Sequence, residues 1–319
     1  MTLGPRIFLV VSAIVAGCGA GRSPSAQRVA LPQDEPIKVA ITVDDLPRFE
    51  DAPAVPPLMI HEAMLAAFAR HQTPPVYGFV NGRKLVDHPE DRPALRAWVA
   101  SGHRLGNHSY SHGTVTSVTR YLADVDANEP LLRELAGDDP AAVRQWKVFR
   151  YPSLIEGSDA VSRRAVRRGL IERGYRIAEV TVDFFDWAYN EPYERCASKL
   201  NTAAIQILER DYLAAAIRSL RWSDAAAKAF FGRRIVQILL LHISHFDAMM
   251  TDQLLTSLEQ AGVKLVALDE ALADPVYTDE RRDPTVVSGT LFDQMGASRR
   301  VKAAVAAAPM APALDGLCR

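Results

Sequence analysis

Apolar and polar positions alternate in blocks along the chain. Ile37 to Val43 is a nearly continuous apolar run, which predicts a strand buried on both faces, as in a parallel sheet. Leu58 to Arg70 follows with helical spacing, and Pro74 to Gly82 reads as a second strand. The alternation continues with a helix over Asp91 to Ala100, a short strand over His103 to Ser109, and a helix over Val118 to Leu135. Next come a strand over Lys147 to Pro152, a helix over Asp159 to Arg173 stopped by Gly174, and a strand over Tyr175 to Asp183. A helix over Ala203 to Leu220 precedes the most apolar strand, Arg234 to His242. A helix over Thr251 to Ala261 and a strand over Val263 to Leu268 close the series. Strands that alternate with helices of this length predict parallel βαβ units. Seven such strands in one domain predict an α/β fold with a closed or nearly closed barrel. Past Glu270 the pattern weakens, and Lys302 to Ala313, biased to Ala and Pro, predicts a loosely ordered stretch.

Composition narrows the picture little. The chain has 319 residues, a formal charge of −1 and 48% hydrophobic residues, enough for one large domain or two small ones. No basic excess points to nucleic acid, and no acidic run points to a solvating tail. The oligomeric state is not legible.

The N-terminus predicts an address. Ile7 to Gly17 is an apolar stretch of signal-peptide length, too short to span a bilayer. It ends in "VAGC", Val15 to Cys18, which resembles a bacterial lipobox and implies a lipid anchor at Cys18. Cleavage after Ala26 is the alternative, and a buried N-terminal helix the plainest one. The expected layout is a lipoprotein signal peptide over 1–17, a tether over 18–36, a domain over 37–275 and an extension over 276–319. The protein is then exported to the cell envelope, facing the periplasm or the exterior, with the membrane reached only through that anchor. In an oxidising compartment the other two cysteines, Cys196 and Cys318, either pair or stay as free thiols.

In a parallel α/β barrel, chemistry sits at the C-terminal ends of the strands. The first strand ends in Asp44-Asp45, the third runs into "HSYSH" (His108 to His112), and the fourth ends in Arg150. The fifth ends in "DFFDW" (Asp183 to Trp187) and the sixth in His242. Two histidines four apart fall on one face if a helical turn follows the strand. With a carboxylate they make a three-ligand site with open positions, the catalytic pattern for zinc. The cation also explains the adjacent aspartates: one ligates it, and the other stays ionised beside it. Physics alone does not assign the two.

These motifs, in this order, resemble the polysaccharide deacetylase family, carbohydrate esterases that include chitin and peptidoglycan N-deacetylases. The family's T-F-D-D-G motif is matched in part by "TVDDL" (Thr42 to Leu46), with Leu46-Pro47 where Gly is usual. Its H-[ST]-x-x-H motif is matched by His108 to His112 and its Arg-Pro motif by "RYP" (Arg150 to Pro152). The D-x-x-D-W motif is matched by Asp183 to Trp187, and L-x-L-H by Leu239 to His242. The resemblance implies a distorted (β/α)7 barrel and a divalent cation, zinc first, with cobalt or another ion as alternatives. It implies Asp44 as base, oriented by Arg150, and His242 as acid, paired with Asp186. It implies Asp45, His108 and His112 as metal ligands, and Trp187, Tyr110, Pro152, Leu240 and Asp183 as substrate contacts. A backbone N–H of Ser109 or Tyr110 is the expected oxyanion donor. The substrate implied is an N- or O-acetylated polysaccharide or oligosaccharide. An acetylxylan-type esterase, a hydrolase of non-glycan amides and a non-catalytic glycan-binding lipoprotein are the rivals. Trp98, Trp146 and Trp222 read as packing residues.

Overall fold

The computed structural model describes residues 1, 35–51, 53–278, 286–295, 309–314 and 316–319. The expected signal segment, Cys18 and the expected tether as far as position 34 therefore lie outside the described residues. Seven strands form one sheet: β1 (Lys38–Leu46), β2 (Tyr77–Val80), β3 (Arg104–Asn107), β4 (Val148–Phe149), β5 (Arg176–Ile177), β6 (Gln237–His242) and β7 (Lys264–Leu265). Every pairing is parallel, in the order β5-β4-β3-β2-β1-β6, and β7 pairs with the start of β1. The chain after β5 crosses to the other edge, where Val182 bridges Leu239 of β6, so the sheet turns back on itself as a ring. That is the expected (β/α)7 barrel.

The long apolar run at β1 fits its central place. Val39, Ala40 and Val43 are fully buried between β2, β6 and the helices. Leu46 stays in the strand, buried, where the family usually has glycine. It packs on Gly78, where an added Cβ would stand 2.3 Å from its Cδ2, so glycine is needed one strand over. The β1–β6 register places Asp44 directly beside His242.

Three helices differ from the sequence pattern; the one expected over Thr251 to Ala261 starts at His245, just after Ser244 caps it, and runs to Gln260. The span 118–135 is broken into Val118–Ala127 and Glu129–Ala136. Pro130 removes a backbone donor there. Asn128 turns inward, donating to the Val80 carbonyl (2.7 Å) and Asn107 Oδ1 (3.1 Å) and accepting from Gly82 N (3.0 Å). The helix expected to stop at Leu220 runs on to Phe231, because the alanine-rich turn after it favours helix and buries Ala226 and Ala227. It stops at Gly232, whose φ of +68° suits glycine.

The C-terminal extension is partly docked. Leu291 and Phe292 lie buried in the helix Leu291–Met295, and Leu291 N donates to the Val180 carbonyl at 2.8 Å. Ser288 makes an antiparallel bridge with Ile155. Of the stretch expected to be loose, 309–313 is irregular backbone and 302–308 lies outside the described residues. Cys196 and Cys318 form a disulfide, with Cα atoms 5.2 Å apart, that ties the chain end to the helix Asn190–Ser198.

His61 is a fully buried imidazole away from the strand ends. Nδ1 donates to the Pro57 carbonyl (2.8 Å), and Nε2 has no partner. Burial lowers its pKa from 6.5 to about 4. Its folded value lies below its unfolded one, so the stability it permits is complete above about 6.5 and lost as pH falls towards 4. Urea midpoints at pH 7.5 and 4.5 should show His61→Leu losing less stability on acidification than the wild type, by about 2–3 kcal/mol. Equal losses in both proteins would contradict this.

Candidate metal-dependent active site

The strand ends converge. The Arg150 guanidinium, 1% exposed, donates through Nη1 to both carboxylate oxygens of Asp44 (3.1 and 3.2 Å). Nη2 donates to Thr42 Oγ1 (3.1 Å) and Nε to the Ala178 carbonyl (2.6 Å), so the fork is fixed on three sides. On the facing strand end, Asp186 accepts from the backbone N of His242 (2.6 Å) through Oδ2, and its Oδ1 holds His242 Nδ1 at 3.0 Å. The free Nε2 is thereby the proton-carrying end of the ring.

Asp45, His108 and His112 form the other half of the site. The two histidines do not share a helical face: the segment after β3 is irregular, with φ of 59° at Ser109 and 56° at His112. The rings are nevertheless brought to 5.0 Å between centroids. Asp45 has φ of 71°, also left-handed, which turns its side chain away from that of Asp44. Non-glycine residues hold such conformations only where the surroundings enforce them, commonly at functional sites.

Electrostatics separates the two aspartates. Burial pushes Asp44 up to about 6, against the pull of Arg150 and His242. Burial acts on Asp45 too, but Lys84, His108 and His112 outweigh it and hold the carboxyl below its usual range. Burial lowers His108 and His112 to about 4, which keeps both rings neutral. His242 is the opposite case: burial lowers it, Asp186 outweighs that, and its pKa rises to about 10.

Three observations fit a divalent cation at Asp45, His108 and His112. Asp45 Oδ1 is buried with no hydrogen bond, 3.3 Å from His112 Nε2 and 3.8 Å from His108 Nε2. One donor atom from each residue falls within 4.8 Å of the others. His108 Nδ1 donates to the Arg150 carbonyl (2.8 Å), which leaves the Nε2 lone pair facing the site.

A cavity of about 600 Å³ opens over these groups. Asp44, Asp45, His108, His112, His242, Asp183, Trp187 and Leu240 line it; Arg150 and Asp186 stand behind and hold their partners. Two expected substrate contacts are corrected. Pro152 is buried, and Ser153, Leu154 and Ile155 face the cavity instead. Tyr110 lies outside the lining, beside Gly82. Neither expected oxyanion donor is free: Tyr110 N donates to the Asp124 carbonyl (3.1 Å) and Ser109 N to Asn107 Oδ1 (2.9 Å). Sequence reading missed Phe49, Ser219, Thr290, Asp293 and Trp222 in the lining, the last having been read as packing. Ser219, Trp222 and Ser223 do share a helix face by spacing, the one signal available.

Residues 32–170 match the family model described as polysaccharide deacetylase. No curated protein gave a match. Among solved structures, the chain is similar to a CE4 family pseudoenzyme from Bacillus anthracis, at 20% identity over 75% of this chain and 66% of that one, with a TM-score of 0.50. A mutant of that protein with restored enzymatic activity aligns at 20% identity over 75% and 69%, with a TM-score of 0.51. The chitin deacetylase from the fungal pathogen Colletotrichum lindemuthianum aligns at 22% identity over 76% and 89%, with a TM-score of 0.49. The family match takes in the strand ends that carry Asp44, Asp45, His108, His112 and Arg150, and the ring of strands is the fold of these esterases. Over residues 32–170 the chain matches the polysaccharide deacetylase family.

Proposed function

We propose that the protein is a metal-dependent deacetylase that removes acetyl groups from an N-acetylated, or O-acetylated, polysaccharide. The single observation that carries this is the separation of two aspartates at one strand end: Asp44 held by Arg150, Asp45 facing His108 and His112. A pseudoenzyme among the structural neighbours means that fold alone does not bring activity. Here the candidate base Asp44, the candidate acid His242 and the three candidate metal ligands line one cavity.

Asp45, His108 and His112 would hold the cation, zinc by donor set. When bound, it supplies a Lewis acid for the acetyl carbonyl and a more acidic water. Asp44 accepts the proton of the attacking water, and Arg150 keeps its oxygens aimed. His242 Nε2 faces the cavity and gives its proton to the leaving amine or alcohol, while Asp186 stabilises the imidazolium. Trp187, half exposed in the cavity lining, walls the place for the acetyl group. Acetate and a free amino or hydroxyl sugar are the products.

Acetate release from chitooligosaccharides and from acetylxylan is the test. Treatment with a strong chelator should abolish release and a stoichiometric divalent cation should restore it. Release that survives complete metal removal would overturn the reading. An ester-only profile would favour the esterase rival.

The "VAGC" motif supports the further proposal that the protein is exported and lipid-anchored at Cys18. Mass spectrometry of the native N-terminus should find Cys18 acylated; a chain that starts at Gln27 would refute the anchor.

A further inference from the structure

A positive charge stands behind one of the candidate metal ligands. Lys84 Nζ lies 3.5 Å from Asp45 Oδ1, the buried oxygen that has no hydrogen bond. The same ammonium donates to the Arg48 carbonyl (2.7 Å) and to the Asp45 carbonyl (3.3 Å), which closes the turn that follows β1. Asp45 is its one carboxylate partner among the described residues. The side chain is 21% exposed and stands outside the lining of the catalytic cavity, so it is not placed to touch substrate. Lys84 also belongs to none of the motifs that carry the family resemblance.

Backbone contacts fix this charge to both ligand-bearing segments. Asn81 N donates to the carbonyl of Leu46, the residue after Asp45, at 3.0 Å, and Arg83 N donates to the carbonyl of Tyr110, between the two histidines, at 3.0 Å. Asn81 Nδ2 donates to the His108 carbonyl (2.6 Å) and the Ser109 carbonyl (3.2 Å). The stretch from Asn81 to Lys84 is therefore knitted to Asp45 on one side and to His108 on the other. A divalent ion held by Oδ1 at about 2 Å lies within about 6 Å of the ammonium, inside the screening length of physiological salt.

We propose that Lys84 is a positioning residue that tunes the cation through Asp45: it weakens the site's hold on a divalent ion and leaves the bound ion a stronger electrophile. The proposal rests on the metal-dependent deacetylase reading and adds a control on that site. Like charges this close repel, so the ammonium lowers affinity. It also draws on the Asp45 carboxylate, which then neutralises less of the ion's charge. Its field favours the negative charge that develops on the acetyl oxygen. A lysine that only braced the turn would act in the opposite sense, since its loss would loosen Asp45 and weaken metal binding.

The test compares the full-length wild type with Lys84→Met, Lys84→Gln and Lys84→Arg. Zinc affinity is measured by competition with a chromophoric chelator, and acetate release from chitotetraose is measured at saturating zinc. Lys84→Met removes the charge and keeps an apolar stem. Lys84→Gln removes the charge and keeps an N–H donor for the two carbonyls. Both should bind zinc about tenfold more tightly than the wild type and turn over about three- to tenfold more slowly. Lys84→Arg keeps the charge and should return the affinity to within about threefold of the wild type. Unchanged or weaker zinc binding in both neutral variants, or tighter zinc with undiminished turnover, would overturn the proposal. Wild type that takes up no zinc would remove the cation site and the proposal with it. Zinc affinities that shift as expected with no acetate from the wild type or any variant would sink the deacetylase reading and leave the effect of Lys84 on affinity standing.

Discussion

Asp44→Asn is expected to retain its metal and lose about two to four orders of magnitude in turnover. Asparagine keeps the shape and can still accept from Arg150 through its one carbonyl oxygen. It cannot take the proton of water at neutral pH. Asp44 lies 3.6 Å from His108 Nε2, but both of its oxygens are claimed by Arg150, so it is the poorer candidate for a ligand. Asp45 has the orphaned oxygen. Asp45→Asn and His112→Ala should therefore lose metal itself: the first trades an anionic ligand for a neutral one, and the second leaves two protein ligands of three. Metal content per chain is measured by elemental analysis beside acetate release. A metal-free Asp44→Asn with a metal-loaded, inactive Asp45→Asn would mean the two roles are exchanged. Full activity with metal in all three would show the site to be wrong.

The sequence carried this site well because its groups sit at strand ends. Apolar runs mark the strands, and the residue that breaks each run is the one the barrel presents at its mouth. Asp44, Arg150 and His242 were legible for that reason, and their placement follows from register: Asp44 pairs with His242 across β1 and β6. The irregular link between His108 and His112 was not legible. The spacing of four predicted a helical face, whereas left-handed backbone at Ser109 and His112 brings the rings together instead. Backbone donors were illegible too, since Asn107 and the Asp124 carbonyl that occupy the Ser109 and Tyr110 N–H groups are fixed only by tertiary packing. The same holds for the part of the cavity lining that comes from the C-terminal extension. Nothing in the spacing of Thr290 or Asp293 says that a segment beyond the repeat pattern folds back against the loop after β4.

Asp186→Asn should separate orientation from acidity at His242. Asp186 does two things: it accepts from the His242 backbone N and it sets the ring through Nδ1. The amide can keep the first contact, so the ring should stay in place, but it carries no charge. Burial would then act on the imidazole against Asp45 and Asp44 alone, so its pKa should fall well below the value of about 10 at which Asp186 helps to hold it. The acid form exists below the pKa. In the wild type His242 remains protonated as pH rises through neutrality and is lost only near 10. In the variant that loss moves to lower pH, so turnover at pH 8 should fall by about two orders of magnitude, with a smaller deficit near pH 6. Metal content should not change, because no ligand is touched. The kcat profile from pH 5.5 to 9.5, read with one metal-content measurement, decides it. A deficit of the same size at every pH would mean that Asp186 only positions the ring, and lost metal would place Asp186 in the support of the cation site.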